Sequence, residues 1–596
     1  MKDLAVQGLV VLGAAWTEPA LAACKLQQVA ELPVTMVGAQ PTIPVKVNGR
    51  AAQFELDSGA FYSTLSPAAA ARLGLDAHFV PNSYMRGVGG DADLKSATID
   101  AFSLAGLQFH HIDIAVAQGA GDGLLGQNIL GAADVEYDLG QGLVRIFEAP
   151  GCGVGDNLAY WTKSDPTVLN MEDDRSRIVA SGAVNGKHIR LQFDTGASYS
   201  IMSMQGAAQV GVSPQTPGAQ PGGGVSGIGE RRSDSWIVPV DSFALGNEQV
   251  QHTRLRIGTI ELSDADMLLG VDFFLSHRVF VSNSLRRIYF TYSGGPVFRL
   301  DRASVAQLAQ GAATSPAAQA ALANPNGPTD AAGLARRAAA EVSRLDYAQA
   351  LVDFDRSIAL DPTDAKTFYG RAMAHAANGQ PALAMADLDQ AIKLKPDDAE
   401  ALRARAAAFL SGGDMAHGRA DLEAAAKAAT DEPALGLAIA GMFESPGLLQ
   451  EGVEQLDRWI AANPKADPDQ KANALNERCW FRAVLKTGLD QALVDCNAAL
   501  KLAPNTAAFL DSRGHVRLDR GEYDLAIADY DAALRDNPKR AGSLYGRGVA
   551  KLKKGMTPGG EADIQAALAI DPRLAQQAPR MGLDRPADVA KAPPQG

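Results

Sequence analysis

Two aspartates stand at equivalent places in two copies of one short pattern. Gln53-Phe54-Glu55-Leu56-Asp57-Ser58-Gly59-Ala60 is matched, 137 residues on, by Leu191-Gln192-Phe193-Asp194-Thr195-Gly196-Ala197. Each copy reads as an apolar strand ending in Asp-Ser/Thr-Gly-Ala, and each follows an Asn-Gly turn, Asn48-Gly49 or Asn185-Gly186. Downstream, each half carries a second matching mark, Leu124-Leu125-Gly126 and Leu268-Leu269-Gly270. A lone Asp-Thr-Gly is ordinary turn composition, because Asp and Gly favour turns for local reasons. Two of them in register, each with an apolar-apolar-Gly partner, point to chemistry that needs two carboxyls on facing turns. Carboxylates about 3 Å apart cannot both ionise, so they share one proton; one can take a proton from water while the other gives one to an amide carbonyl. Gly59 and Gly196 would let the two loops approach. Ser58 and Thr195 are placed to tie the loops together, and Leu125-Gly126 and Leu269-Gly270 to pack beneath as braces.

The elements that must position these residues are strands. In the first half, Pro44 to Val47, Gln53 to Leu56, Ala97 to Phe102, Ile112 to Ala117 and Leu143 to Phe147 are short apolar or alternating runs bounded by Gly and Asp turns. The second half repeats the plan with Ile178 to Val184, Ile189 to Phe193, Ser235 to Val240, Thr253 to Ile257, Val279 to Val281 and Arg287 to Tyr292. The ends correspond too, since Val144-Arg145-Ile146-Phe147 echoes Arg286-Arg287-Ile288-Tyr289-Phe290. The expectation is two mostly-β lobes related by duplication, residues 24–152 and 153–298.

These motifs resemble the retropepsin-like aspartic proteases, the fold of the retroviral enzymes, over roughly residues 30–295. The resemblance implies Asp57 and Asp194 as catalytic aspartates, with Ser58-Gly59 and Thr195-Gly196 supporting them. It also implies a glycine-rich flap in each lobe; Gly87 and Gly89, and Gly227 and Gly229, are the candidates. Retroviral enzymes build this site from two chains, whereas here one chain carries both lobes. Gly222 to Gly227 also fits G-x-G-x-x-G, but prolines 217 and 221 precede it and a strand follows, so a flap explains the glycines better than a dinucleotide site.

Residues 299–332 are rich in Ala, Gln, Pro and Ser and read as a linker. Beyond them the period changes. Pro362 and Pro396 are 34 residues apart, as are Pro504, Pro538 and Pro572 in succession. That is the period of tetratricopeptide repeats. Gly514, Tyr523, Ala526, Tyr530, Ala533 and Pro538 fall where that family puts its packing residues, as do Ala384, Leu388, Ala391 and Pro396. The resemblance covers residues 333–572 in six or seven repeats, leaving 573–596 as a tail. The fold class expected is therefore two tandem all-β lobes followed by an all-α solenoid, whose groove suits a protein partner or substrate.

The first 23 residues read as an export signal: Lys2, an apolar run from Leu4 to Trp16, then small residues Ala20-Leu21-Ala22. Together with the lobes this looks like a bacterial periplasmic protein. Leu21-Ala22-Ala23-Cys24 also fits a lipoprotein signal, with Cys24 lipidated. The expectation for Cys24 is a disulfide to Cys152, because the two residues flank the first lobe, with lipidation as its rival. Cys479 and Cys496 lie nine residues before and eight after Gly488. At about 1.5 Å per residue they sit nearly level on antiparallel helices, which suits a second disulfide, the alternative being two buried thiols. With 46% apolar and 21% charged residues the chain is globular, and its net charge of −13 without a basic stripe argues against nucleic acid. No histidine or cysteine spacing suggests a metal, and no motif calls for a cofactor. No segment after the signal is long enough to span a membrane. Two function classes stand: an endopeptidase whose repeats recruit protein, and an inactive peptide-binding scaffold.

Overall fold

The computed structural model describes residues 24–585, except 88–89, 118–120, 173–176, 226–232, 263, 299–326, 446, 465 and 536. The stretch read as an export signal and the flap candidates Gly89, Gly227 and Gly229 lie outside the described residues; Gly87 ends the strand His78–Gly87.

In the first lobe six strands close into a ring: Gln40–Val47, Arg50–Leu56, Gly123–Leu125, Thr64–Leu65, Leu107–Val116 and Gly90–Leu104, which returns to pair with Gln40–Val47. The second lobe closes in the same order with Val179–Val184, Lys187–Phe193, Met267–Leu269, Ile201–Ser203, Glu248–Gly258 and Ser233–Leu245. Both Asn-Gly turns carry positive φ at both residues, 49° and 80° at Asn48-Gly49 and 51° and 71° at Asn185-Gly186. That is the two-residue hairpin geometry matching the twist of the flanking strands. Each Asn also accepts a bond from the neighbouring strand that closes its barrel, Asn48 Oδ1 from Ala101 N and Asn185 Oδ1 from Asp241 N. Inward positions alternate along the strands, so Ile43, Val45, Val47, Phe54 and Leu56 fill one barrel and Val184, Ile189, Leu191 and Phe193 the other.

The third sheet was not legible as such. Gln27–Pro33, Leu143–Glu148 and Asp134–Asp138 from the first half continue into His277–Ser282, Arg287–Tyr292 and Thr167–Asn170 from the second. The strands expected at Leu143 to Phe147, Val279 to Val281 and Arg287 to Tyr292 thus exist but leave their own lobes for this shared sheet. Its central seam is the antiparallel pairing of Val135 to Tyr137 with Val281 to Val279. Glu136, fully buried, accepts at Oε1 from Arg145 at 2.5 Å on its own half and from Arg278 at 2.8 Å on the other. Cys24 is bonded to Cys152 beside the edge of this sheet, and Cys479 to Cys496 within the helices.

The helical unit has fifteen α-helices among the described residues, arranged as seven hairpins from Ala331–Ser343 to Thr557–Ile570 and a last helix Leu574–Arg580. That last helix falls in the stretch expected as a tail; Leu574 and Ala578 are buried in a cluster with Val549 and Ala567. The fourth hairpin is irregular, with a nine-residue helix Pro433–Gly441 running into a single 3₁₀ turn. A ladder of ion pairs runs along the hairpins. Arg371 holds Asp387 of its own hairpin with two bonds of 2.8 and 2.6 Å and reaches Asp355 of the preceding one at 2.7 Å. Arg405 does the same with Asp421 and Asp389, Arg478 with Asp495 and Asp457, and Arg547 with Asp563 and Asp531. No helix among the described residues is long and apolar enough to cross a membrane.

Candidate active site

Each aspartate sits one residue past its strand, in the turn that the strand's last hydrogen bonds hold. Asp57 N donates to Leu125 O at 3.0 Å, and Asp194 N to Leu269 O at 2.9 Å. The apolar-apolar-Gly segments are therefore strands paired in parallel with the Asp strands, Leu56 opposite Leu125 and Phe193 opposite Leu269. They lie alongside the Asp strands, rather than packing below them as separate braces. Their glycines are needed because the Asp turns press on them: a Cβ at Gly126 would lie 2.8 Å from Tyr62 C, and one at Gly270 would lie 2.4 Å from Tyr199 C.

The two turns meet. A Cβ on Gly59 would lie 2.2 Å from Asp194 Cγ, and one on Gly196 would lie 2.4 Å from Asp57 Cγ. Only glycine fits either place. Between the turns the hydroxyls cross. Ser58 Oγ accepts from Thr195 N at 3.0 Å and donates to Phe193 O at 3.0 Å; Thr195 Oγ1 accepts from Ser58 N at 2.9 Å and donates to Leu56 O at 2.7 Å. Both side chains are fully buried. Four bonds thus clamp one lobe's turn to the other's, each hydroxyl spending both its donor and an acceptor.

The carboxyls themselves are fixed alike. Asp57 Oδ1 accepts from Gly59 N and Ala60 N at 2.9 and 2.8 Å; Asp194 Oδ1 accepts from Gly196 N and Ala197 N at 2.9 and 3.2 Å. The two carboxyls are close enough for each to perturb the titration of the other. Burial raises Asp57 above the ordinary carboxyl range, against the pull of its backbone donors. Burial and then the charge of Asp57 raise Asp194 well above it. Such a pair holds a proton where isolated carboxylates would have lost it.

Two supports were missed in the sequence. Ser63 Oγ accepts from Gly126 N at 3.0 Å and donates to Asn128 Oδ1 at 2.8 Å. In the second lobe Ser200 Oγ accepts from Gly270 N at 3.0 Å and donates to Asp272 Oδ1 at 2.6 Å. These pairs lock each Asp loop to its Gly strand. The signal was present: a Ser six residues past each Asp and an Asn or Asp two past each brace glycine.

Twin six-stranded rings, each offering an Asp-Ser/Thr-Gly turn to the other, define the retropepsin-like aspartyl protease fold, and the hairpins define a tetratricopeptide array. The chain carries both kinds of domain. Residues 43–132 match the aspartyl protease family and residues 180–276 the gag-polyprotein aspartyl protease family. Residues 369–433 and 514–555 match tetratricopeptide repeat families. No curated protein matches the chain. Among solved structures, the repeats are similar to the Cut9-Hcn1 hetero-tetramer of APC/C, at 17% identity over 44% of this chain and 51% of that one, TM-score 0.31. They are also similar to YrrB, described as a TPR protein with an unusual peptide-binding site, at 16% identity over 38% of this chain and 97% of that one, TM-score 0.23. A third likeness is the C-terminal part of a TPR repeat-containing protein from Cytophaga hutchinsonii, at 16% identity over 41% of this chain and 98% of that one, TM-score 0.32. The chain spans about half the length of the first of these.

Proposed function

We propose that this chain is an aspartic endopeptidase in which Asp57 and Asp194 share one proton and activate a water against a peptide carbonyl. The observation that carries this reading is the meeting of the two Asp turns, each aspartate against the other turn's glycine, through crossed Ser58 and Thr195 hydroxyls. In the resting pair one carboxyl is ionised and the other protonated. The ionised one takes a proton from water as it attacks the amide carbon, and the protonated one donates to the carbonyl oxygen. The carboxyl that took the water's proton then gives it to the amide nitrogen, a hydroxyl of the tetrahedral intermediate returns a proton to the other carboxyl, and the C–N bond breaks to leave acid and amine with the one-proton pair restored. The backbone donors on each Oδ1 hold the carboxyls in place, so no reorganisation is needed at the moment of reaction. The reaction needs no cofactor.

The repeats recruit a protein substrate or partner into their groove, as stacked helical hairpins are suited to do. The setting is an exported, periplasmic one, where the two disulfides persist. Activity should be greatest on the acid side, at about pH 4 to 7, since the pair must keep one proton. The test is turnover of unfolded casein by the purified full chain, with and without a statine-type inhibitor. Asp57→Asn and Asp194→Asn should each abolish cleavage, because the pair works as a unit. Near-normal turnover in either variant would refute the shared pair, and casein retained but uncleaved by the wild type would leave a peptide-binding scaffold instead.

A further inference from the structure

The two strands that deliver the aspartates differ two residues before them, where one carries Glu55 and the other Gln192. Side chains two apart on a strand share a face, so each residue lies on the same face as its aspartate. Gln192 is buried, and its Nε2 donates across the lobe boundary to Gly59 O at 3.3 Å, within the opposite Asp turn. Glu55 occupies the equivalent place in the first lobe and is half-buried. A carboxylate has no proton to donate, so Glu55 can act as Gln192 does only when it is protonated.

The groups around Glu55 are few. On its own strand the titratable neighbour is Asp57. From Gln40–Val47, Gln40 Nε2 donates to Glu55 Oε2 at 3.3 Å, and Thr42 is its partner in register. From Gly123–Leu125 the partner in register is Leu124. Burial, and then the charge of Asp57, push Glu55 up to about 7, with the Gln40 bond pulling the other way. A third carboxyl thus stands beside the pair with an amide as its hydrogen-bond partner.

We propose that Glu55 is a positioning residue for the proton of the Asp57–Asp194 pair, its negative charge keeping that proton on the pair as the pH rises. The inference rests on the reading of Asp57 and Asp194 as a shared-proton pair. It has a one-sided consequence. On the acid limb Glu55 is neutral and does nothing. On the basic limb it is ionised and resists loss of the last proton from the pair, so activity extends toward neutral pH. In the second lobe, neutral Gln192 exerts no such effect.

The experiment is the pH dependence of kcat/KM for the full chain and for Glu55→Gln, on a quenched fluorogenic peptide from pH 3 to 9. The variant should lose activity on the basic side about half to one pH unit earlier than the wild type, the shift a nearby charge produces in a partly buried site. Its acid limb should overlay. Superimposable basic limbs, or equal shifts in both limbs, would overturn the proposal. Gln192→Glu supplies the converse, and its basic limb should move up. Carbon-13 titration of aspartate-labelled carboxyls in wild type and Glu55→Gln reads the same shift without turnover, so a poorly active variant still decides. If Asp57 and Asp194 instead titrate independently as ordinary carboxyls, the shared-pair reading itself fails.

Discussion

Asp57 and Asp194 are held where a carboxylate is least at ease, and that has a measurable cost. Both are raised by burial, Asp194 also by its partner's charge. A carboxyl whose folded value lies above its unfolded one contributes its full stability below the unfolded value and loses it as pH rises through the folded one. The pair should therefore destabilise the β domains at pH 7 to 8 and not at pH 3. Asp57→Asn, which keeps a hydrogen-bonding side chain without a charge, should raise the melting temperature at pH 8, by roughly 2–4 °C for each kcal/mol relieved. Calorimetry at the two pH values checks it, with no gain expected at pH 3. At this scale the sequence was most readable. The duplicated Asp-Ser/Thr-Gly placed both carboxyls, both hydroxyls and both glycines, because each has one chemical task that few residue types perform. Gln192 was not read, since a lone polar residue in a strand carries no signal until its partner's position is known, whereas Asn128 and Asp272 recur at one spacing past each brace glycine and were passed over.

At the scale of elements, hairpin strands and repeat helices followed from period and turn chemistry, while the shared six-stranded sheet did not. Leu143–Glu148 and Arg287–Tyr292 were legible as strands, but which neighbour a strand takes is decided by tertiary packing that alternation does not encode. Asp134–Asp138 alternates charge with Val135 and Tyr137 and looks like a solvated edge, yet all five of its residues are buried. Glu136 and Asp138 meet Arg145 and Arg278, while Asp134 accepts from Ser282 and Ser284. Removing one side of such a buried cluster strands the other. Glu136→Ala should cost about 3–5 kcal/mol in urea unfolding of the β domains, whereas Glu31→Ala, at the exposed side of Arg145, should cost about 0–1 kcal/mol. The helical ladder is the opposite case. Arg371, Arg405, Arg513 and Arg547 each precede an Asp by sixteen residues, a pattern visible in the sequence once one looks for charge at the repeat period as well as small and aromatic residues.

At the scale of the whole molecule, covalent links close what the sheets begin. Cys24–Cys152 closes a loop of 128 residues around the first lobe, and Cys479–Cys496 a short one of 17 residues within a hairpin. Loop-closure entropy makes the long bridge the more stabilising. Cys152→Ser should lower β-domain stability by about 2–5 kcal/mol, and Cys479→Ser by less. Intact mass of exported protein, reduced and unreduced, checks that both bridges form, and a diacylglyceryl adduct on Cys24 would remove the first.

The shared sheet also changes what mutation can do to this molecule. In an assembly of identical halves every substitution is made twice, once on each side of the axis, and must be tolerated in both settings. Here three strands of each half are threaded into one sheet within a single chain, so the halves are inherited together but free to drift apart. The record of that drift is already written around the two aspartates: Ser58 against Thr195, Asn128 against Asp272, Glu55 against Gln192. One copy can keep an arrangement while the other changes, so the two sides of the paired turns no longer have to look the same.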